Sequence, residues 1–241
     1  MLEKIRVGWE KVAQVRADNN FSGVYWIIED GQEKVATANL APGKKVYGER
    51  IVFLNGVEYR LWDPFRSKLA AAILNGLKFF PFKEGARVLY LGASTGTTVS
   101  HVSDIVGVKG IVFAVEFSPR VANEFIDRCV KFRKNIVAVV EDARRPENYV
   151  GVFGKVDVVY CDIAQPDQTE IAIKNCRMFL RKDGILMLVV KSRSIDVVKE
   201  PTKVFEEEEE KLRANNFEVL QKIELAPFDK DHALIVSKKL F

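Results

Sequence analysis

An aspartate and a lysine that could take part in proton transfer each follow a run of apolar residues. Asp162 comes directly after the run from Val156 to Cys161, and Lys191 comes directly after the run from Leu186 to Val190. A lysine at the end of a buried strand can simply extend its ammonium group to water. When an acid lies beside it in a pocket, its pKa can shift and it can help to remove a proton. Both interpretations stay open for Lys191 on the residues alone.

A turn of small residues precedes these groups in the chain. The stretch from Val88 to Thr98 reads VLYLGASTGTT, which predicts a buried strand, a tight turn from Gly92 to Gly96 and the beginning of a helix. Such a turn lets the backbone approach a ligand closely at the positive end of a helix dipole. Glycine turns are common in α/β proteins, so this one indicates a ligand site only if other residues agree.

Acidic residues at the ends of the next two predicted strands do agree. Glu116 stands 24 positions after Gly92, close to the spacing at which a carboxylate accepts both hydroxyls of a ribose. Asp142 and the backbone amide of Ala143 end the following strand and could bind an adenine edge. Each acid could instead cap the next helix. Their occurrence together behind one glycine turn favours a ligand site.

Strands and helices alternate from residue 88 onward, which predicts a parallel sheet with helices on both faces. The predicted strands are 88–91, 111–115, 136–140, 156–161 and 184–190, and the predicted helices are 96–106, 118–132, 167–180 and 201–214. An alanine-rich segment, 66–74, predicts one more helix before the sheet. Ligands of such sheets bind beyond the carboxyl ends of the strands, where the residues described above fall.

The end of the chain departs from this alternation. Segments 217–225 and 233–237 predict two strands with a short connection, so they must pair antiparallel. The reversed last strand would bring Asp231 and His232 to the same edge as the other strand ends. A parallel sheet closed by a reversed strand favours an S-adenosylmethionine methyltransferase over a dinucleotide dehydrogenase, which usually repeats the strand–helix unit.

Residues 1–62 predict a small antiparallel β domain, and residues 63–241 predict the α/β domain. Within the first segment, Ile5, Val7 and Trp9 alternate with charged residues. Further strands are predicted at 25–28, 37–40, 51–54 and 57–61, the last two joined by Asn55-Gly56, a strong hairpin signal.

Composition limits the classes of function. Hydrophobic residues make up 48% of the 241 residues, enough for a full core, and the net charge of +4 does not by itself demand a nucleic acid. The longest apolar run, 185–190, is too short to span a bilayer, and no signal peptide is apparent, so no membrane association is expected. The cysteines, Cys129, Cys161 and Cys176, predict reduced thiols of a cytoplasmic protein, and with two histidines no metal site is expected. The run Glu206–Glu210 is interpreted as a solvated face, with an acidic partner-binding surface as the alternative.

Seven segments together resemble the archaeal fibrillarin family, guide-RNA-directed ribose 2′-O-methyltransferases. They are DPFRSKL at 63–69, LGASTGTTVSHVSD at 91–104, EFS at 116–118, EDA at 141–143, DIAQ at 162–165, KSRSID at 191–196 and DHA at 231–233. Each segment alone is unspecific, but their combination is specific and the resemblance runs over essentially the whole chain. Ser94-Thr95 and Ser192 depart mildly from the residues usual in the family. The resemblance implies a Rossmann-like class I methyltransferase: a mostly parallel seven-stranded sheet with a reversed terminal strand, after a small antiparallel β domain.

The resemblance implies that S-adenosylmethionine binds at the strand ends. Glu116 would hold the ribose hydroxyls, Phe117 would pack on the adenine and Asp142 would accept its exocyclic amine. The implied cofactor residues are Gly92, Ala93, Thr97, Thr98, Glu116, Phe117, Asp142, Ala143, Asp162, Ile163, Ala164 and Gln165.

The family's catalytic set of Lys, Asp, Lys and His corresponds to Lys68, Asp162, Lys191 and His232. The chemistry is an in-line attack of a ribose 2′-hydroxyl on a sulfonium methyl group, so the protein must orient the two and remove a proton. We expect Lys191, held by Asp162 and shared with Lys68, to help deprotonation, and His232 to orient or relay. The sequence does not distinguish which of these residues is the general base and which is a positioning cation. Lys68 could also be a plain surface residue.

RNA contacts are expected from Arg66, Arg144, Arg145 and Arg193, which fall near the predicted site edge. The resemblance implies a box C/D guide RNA that pairs with a target rRNA or tRNA, a Nop-domain scaffold protein and a kink-turn-binding ribosomal-type protein. One alternative is a non-catalytic scaffold subunit of the same particle, against which the strand-end acids argue. Another is a nicotinamide-dinucleotide oxidoreductase, against which the missing GxGxxG and the reversed strand argue.

Overall fold

The computed structural model of the protein describes residues 13–152 and 154–241. Within these ranges the strands form two sheets, one from the first 61 residues and one from residue 87 onward. The strand expected at Ile5, Val7 and Trp9 lies outside the described residues. The division into two domains at residue 62 stays a prediction, since a single buried cluster contains apolar side chains from both parts, among them Val35 and Val99.

The first sheet is antiparallel, with β5 between β3 and β4. Its strands are β1 Gln14–Ala17, β2 Val24–Glu29, β3 Gln32–Ala38, β4 Ile51–Leu54 and β5 Val57–Leu61. The hairpin predicted from Asn55-Gly56 is present, and both residues have the positive φ angles that a type I′ turn requires, 52° and 78°.

Two strands of this sheet differ from the prediction. β1 was not expected, and β3 begins at Gln32 rather than at residue 37. The two-residue turn Asp30-Gly31 pairs Glu29 directly with Gln32, so the polar start of β3 is held by pairing with β2. Cross-strand pairing here overrides the weak strand preference of the polar residues.

The second sheet has the spatial order β11-β12-β10-β9-β6-β7-β8. Its strands are β6 Arg87–Leu91, β7 Ile111–Glu116, β8 Ile136–Val140, β9 Val156–Cys161, β10 Leu180–Lys191, β11 Phe217–Glu224 and β12 His232–Lys239. The strands from β10 to β8 run parallel, and β12 is antiparallel to both of its neighbours. The expected seven-stranded sheet with a reversed strand is therefore confirmed. Strand order changes direction between β6 and β9, and such a switch point opens a crevice for a ligand.

Helices cover both faces of this sheet, and their bounds are α1 Lys68–Leu74, α2 Thr97–Val106, α3 Pro119–Arg128, α4 Gln168–Phe179, α5 Ser192–Ile195 and α6 Pro201–Ala214. α1 begins later than residue 66 because Ser67 is its N-cap and accepts a hydrogen bond from the Ala70 amide at 3.4 Å. α3 ends before the expected residue 132 and continues as the 3₁₀ turn Val130–Phe132. α5 was not predicted. In the described ranges no helix has the length and apolar character needed to cross a membrane.

A buried polar network fixes the first sheet on α2. The Arg60 guanidinium, with no exposed surface, donates to Glu49, Asp104 and Ser100 at 2.7–2.8 Å. His101, also fully buried, lies 2.7 Å from the hydroxyls of both Thr37 and Tyr47. α2 begins directly after the glycine turn. The network therefore fixes the position of the helix that follows this turn.

The acidic run on α6 is largely neutralised within the chain. Glu207 pairs with Lys199, and Glu209 pairs with Arg213 and Lys222. Glu208 is 1% exposed and lies 2.8 Å from Lys211, so the interpretation of the run as a uniformly solvated face was wrong at that position. Helical periodicity turns one of five consecutive residues toward the core.

Candidate active site

A cavity of about 300 Å³ lies at the carboxyl ends of the parallel strands. This volume is at the lower end of the range for small-molecule sites. It is lined by Gly92, Ser94, Val115, Glu116, Phe117, Glu141, Asp142, Ala143, Arg144, Asp162, Ile163, Ala164, Gln165, Ile171 and Lys191. Nine of these residues belong to the implied cofactor set. The cavity lies where the strand order predicted a ligand site.

Gly92 allows the turn after β6 to lie against the end of β9. Its φ is 85°, and a Cβ built there would be 2.8 Å from the Asp162 carbonyl oxygen. The amides of Gly92 and Ala93 both donate to the Val115 carbonyl, at 2.9 and 3.0 Å. A side chain at position 92 would therefore force apart the turn and the residue that carries the Asp162 carboxylate.

Glu116 both caps its neighbours and lines the cavity. One carboxylate oxygen accepts from the Ser94 amide and the other from the Ser118 amide, each at 2.9 Å. Each carboxylate oxygen has a second lone pair, so both can still accept a ribose hydroxyl. The cap and the ligand interpretations of this residue are thus compatible. Asp142 is similar, since it accepts from the Arg144 amide at 2.9 Å and lines the cavity.

The side chains around the cavity favour a ligand without phosphate groups. Four carboxylates line it (Glu116, Glu141, Asp142 and Asp162), against two cations, Arg144 and Lys191. Both cations are already engaged, Arg144 with Asp167 at 3.2 Å and Lys191 with Asp162 at 2.8 Å. This charge balance repels a pyrophosphate and attracts a positively charged group.

Three of the implied cofactor residues do not line the cavity. Ala93 is 3% exposed and buried beneath the turn. Thr97 and Thr98 form the start of α2, and the buried Thr98 hydroxyl lies 2.9 Å from the Ser67 hydroxyl. Thr98 thus connects α2 to the cap of α1. Four residues that line the cavity were absent from the implied cofactor set: Ser94, Val115, Glu141 and Ile171. Of these, Glu141 could have been found from the sequence, because it stands directly beside Asp142.

The four predicted catalytic side chains come together, joined by a fifth residue. Lys191 Nζ lies 2.8 Å from an Asp162 carboxylate oxygen, and Lys68 Nζ lies 3.4 Å from the same carboxylate. Lys68 Nζ also lies 3.7 Å from Asp229, which in turn lies 2.8 Å from His232 Nδ1. The sequence analysis placed Asp229 only within the short connection between the predicted strands 217–225 and 233–237. We name the row Lys191, Asp162, Lys68, Asp229 and His232 the polar row.

Strand register explains why these residues meet. Lys191 is the last residue of β10 and His232 the first of β12, and the two are direct antiparallel partners. Asp162 follows β9, and Lys68 is the first residue of α1. The exposed fractions of the Asp162 and Lys191 side chains are 14% and 15%. Of the polar row, these two also line the cavity, so the row runs from the cavity wall outward.

Two stacked tyrosines lie beneath Asp162. The rings of Tyr90 and Tyr160 are 4.8 Å apart, and both are buried. Burial raises the pKa of both phenols well above their usual value, and the nearby Asp162 carboxylate adds to this effect. They stay protonated near neutral pH, and their stacked rings lie next to Asp162 of the polar row.

The four arginines that are expected to contact RNA differ in their surroundings. Arg66 lies over the Tyr47 ring and donates to the Tyr47 carbonyl, and no carboxylate in the described ranges lies within ion-pair distance of it. Arg145 is exposed. Arg193 pairs with Asp231 at 3.2 Å. Arg144 differs from the other three because it forms part of the cavity wall.

An exposed aromatic ring lies beside the outer part of the polar row. Phe65, three residues before Lys68, is 71% exposed. Its ring meets the edge of Phe228, which directly precedes Asp229, with the ring centres 5.2 Å apart. The Phe65 amide donates to Asp63 at 2.9 Å, which fixes the local turn.

Comparison with known proteins agrees with this architecture. The family model described as fibrillarin matches residues 15–240. A fibrillarin-like rRNA/tRNA 2′-O-methyltransferase from Thermococcus onnurineus is 57% identical over 222 residues, which cover 92% of this chain and 97% of that protein.

Solved structures are similar over nearly the whole chain. Aeropyrum pernix fibrillarin, in complex with natively bound S-adenosyl-L-methionine, has a TM-score of 0.88 at 47% identity and covers 95% of this chain and 99% of its own. A fibrillarin in a crystallised fibrillarin/Nop5p complex has a TM-score of 0.81 at 39% identity and covers 92% and 99%. The chain described here belongs to the fibrillarin family.

Proposed function

We propose that the protein is an S-adenosylmethionine-dependent methyltransferase that methylates ribose 2′-hydroxyls of rRNA and tRNA. The observation that carries this proposal is the opening of a carboxylate-lined cavity onto the polar row. One end of the row lines the cavity through Asp162 and Lys191, and the other end lies outside it. A methyl donor in the cavity and an RNA hydroxyl at the row would therefore be adjacent. The Thermococcus onnurineus relative carries the same activity in its name.

The cavity residues fit the cofactor. Glu116 offers its free lone pairs to the ribose hydroxyls, Phe117 offers an exposed ring for the adenine, and Asp142 can accept the adenine amine. The surplus of carboxylates attracts a sulfonium. Bound S-adenosylmethionine supplies a methyl group that is already activated by the positive sulfur.

The polar row orients the attacking hydroxyl and supports the loss of its proton. Lys191 donates to the Asp162 carbonyl at 3.0 Å and lies 2.8 Å from its carboxylate, so its nitrogen is held as an ammonium donor. A second lysine, Lys68, lies on the other side of that carboxylate. Such fixed donors stabilise the negative charge that develops on the ribose oxygen. Lys191 thus supports deprotonation through its charge.

Phe65 and Arg66 support an approach of the RNA from the outer side of the row. Exposed aromatic rings receive nucleotides by stacking, and a cation without a carboxylate partner is available for a phosphate. Both residues lie within three positions of Lys68. Arg145 and Arg193 would extend the phosphate contacts along the same face.

We further propose that the enzyme acts within a box C/D ribonucleoprotein. The likeness to a fibrillarin crystallised with Nop5p supports a Nop-domain scaffold as its partner. A guide RNA would select the target nucleotide, and a kink-turn-binding protein would complete the particle. A cytoplasmic location is proposed as well, and three free, buried cysteines support a reducing compartment.

The test is transfer of tritiated methyl groups from S-adenosylmethionine to RNA by the reconstituted particle. We expect label on the guided nucleotide only when guide RNA and scaffold are both present. The Asp162→Asn variant removes the charge that holds both lysines and should lower the rate about 100-fold or more. Asp183→Asn, which changes an exposed carboxylate paired with Lys238, is the matched control and should match the wild type. A particle that binds scaffold and guide without any methyl transfer would instead indicate a scaffold subunit.

A further inference from the structure

His232 is held through one of its two ring nitrogens. Nδ1 lies 2.6 Å from the Lys230 carbonyl oxygen and 2.8 Å from an Asp229 carboxylate oxygen. A carbonyl and an ionised carboxylate can only accept hydrogen bonds. A lone pair on Nδ1 would face two oxygens and be repelled by both. Nδ1 therefore carries a hydrogen, which it donates.

This arrangement determines the other nitrogen. In a neutral imidazole only one nitrogen carries hydrogen, so Nε2 has a free lone pair. Among the described residues, Nε2 has no hydrogen-bond partner. The two lysines of the polar row are bound to Asp162, and an ammonium group has no lone pair to offer. Nε2 is thus the atom of the row that has a lone pair free to accept a proton.

Asp229 is placed to control this imidazole. Its carboxylate contacts His232 at one oxygen and approaches Lys68 Nζ at the other, 3.7 Å away. Burial alone would raise the pKa of the Asp229 carboxyl, but the contacts with His232 and Lys68 outweigh it and hold the pKa below its usual value. The Asp229 carboxylate is therefore ionised at neutral pH.

We propose that Asp229 is a positioning residue that orients His232, so that Nε2 accepts the proton of the attacking 2′-hydroxyl. This inference rests on the proposed function. In the step, the O–H bond of the ribose breaks and its proton moves to Nε2, while the ribose oxygen forms a bond to the methyl carbon. The methyl–sulfur bond breaks and its electron pair stays on sulfur. Asp229 stabilises the imidazolium that results, as an aspartate does for histidine in hydrolase triads.

Charged groups from several elements lie near His232. The groups around it are Asp229, Lys230, Asp231, Arg193, Lys191, Lys68 and Asp162. Arg193 pairs with Asp231, and both lysines of the row pair with Asp162. Asp229 is the carboxylate in direct contact with the ring. Neutralising Asp229 should therefore change the basicity of the imidazole more than neutralising any one of the other groups.

The test compares Asp229→Asn and Asp229→Glu in the reconstituted particle. Asparagine keeps an acceptor for Nδ1 but loses the charge, so imidazolium is less stable and the rising limb of the pH–rate profile moves to lower pH by about one unit. The less basic, less well-oriented Nε2 lowers the plateau of kcat about 10-fold or more, with the KM for RNA nearly unchanged. Glutamate keeps the charge and should restore the position of the limb. Asp183→Asn should behave as the wild type.

A measurement without catalysis uses the two histidines of the chain. Nitrogen-15 NMR of the free protein should report His232 as the Nδ1–H tautomer, titrating at lower pH in Asp229→Asn, while the buried His101 signal stays unchanged. An Nε2–H tautomer, an unmoved titration or an unmoved pH–rate limb with full kcat would overturn the role of Asp229. An inactive wild-type particle would instead contradict the proposed function, whatever the NMR shows.

Discussion

Glu116 shows how one side chain serves the fold and the ligand together. Each of its carboxylate oxygens accepts a hydrogen bond from a backbone amide, one in the glycine turn and one at the start of α3. Replacing Glu116 by an amide weakens both uses, because the amide keeps one acceptor oxygen but replaces the other with an NH2 donor group.

For Glu116→Gln we expect the Kd for S-adenosylmethionine to rise about 10-fold or more, since one carboxylate oxygen becomes a donor that faces an amide N–H. Isothermal calorimetry on the free protein measures this directly. Glu218→Gln, an exposed change on β11, is the matched control. Equal affinity in both variants would contradict the assignment of Glu116 to the ribose.

Phe65 belongs to the RNA side of the site. For Phe65→Ala we expect the KM for target RNA to rise about 10-fold, because stacking on an aromatic ring contributes about 1–3 kcal/mol. Tyrosine at this position should restore the wild-type value, and calorimetric affinity for S-adenosylmethionine should not change. Phe53→Ala on β4, where the ring is equally exposed at 70%, provides the control. A similar loss in both variants would argue against an RNA contact at Phe65.

At the scale of elements, the site depends on how closely the glycine turn approaches β9. Gly92 has a positive φ and also faces the Asp162 carbonyl, whereas Gly56 has a positive φ of 78° with no atom within 4 Å of a built Cβ. The two positions therefore separate backbone strain from steric clash.

We expect Gly92→Ala to lower the free energy of unfolding by about 1–3 kcal/mol more than Gly56→Ala does, because only the former adds overpacking to the strained backbone. Urea unfolding of both variants measures the difference. Gly92→Ala should also weaken cofactor binding, since the cavity wall must shift. Indistinguishable unfolding curves would show that the turn can move away from β9 at no cost.

At the scale of the whole molecule, the buried His101 joins α2 to the first sheet. His101 stacks on Trp62, with ring centres 4.6 Å apart, and contacts Thr37 of the first sheet. Burial lowers the pKa of His101 well below its usual value, and the charges of Arg60 and Arg133 lower it further. The folded state therefore keeps this ring neutral at pH values where the unfolded chain binds a proton.

The sign of the pH effect follows from that difference. Below the unfolded pKa of about 6.5 the unfolded state gains a proton that the native state does not, so stability falls by up to about 1.4 kcal/mol per pH unit as the pH decreases. His101→Gln should lose stability overall but show a shallower decline between pH 6.5 and 5, measured by urea unfolding at several pH values. Parallel declines for the variant and the wild type would exclude His101 as the source.

Much of the architecture could be read from local patterns. Alternating apolar segments, the short link before the last strand and the Asn55-Gly56 turn predicted the sheets, because periodicity and turn chemistry act over a few residues. The family and fold inferred from the resemblance are confirmed. The positions of Glu116, Asp142, Asp162 and Lys191 at one edge follow from parallel strands sharing a carboxyl end. The catalytic roles stay predictions.

The sequence by itself thus determined the fold class, the edge of the sheet that carries the site and most of its side chains. Only the tertiary structure decided that Asp229 joins Lys68 to His232, and that Thr98 turns toward Ser67. It also showed that the glycine turn, through Gly92, lies against Asp162. These contacts join residues far apart in the chain, and they depend on strand order, register and side-chain rotamers that no local pattern encodes.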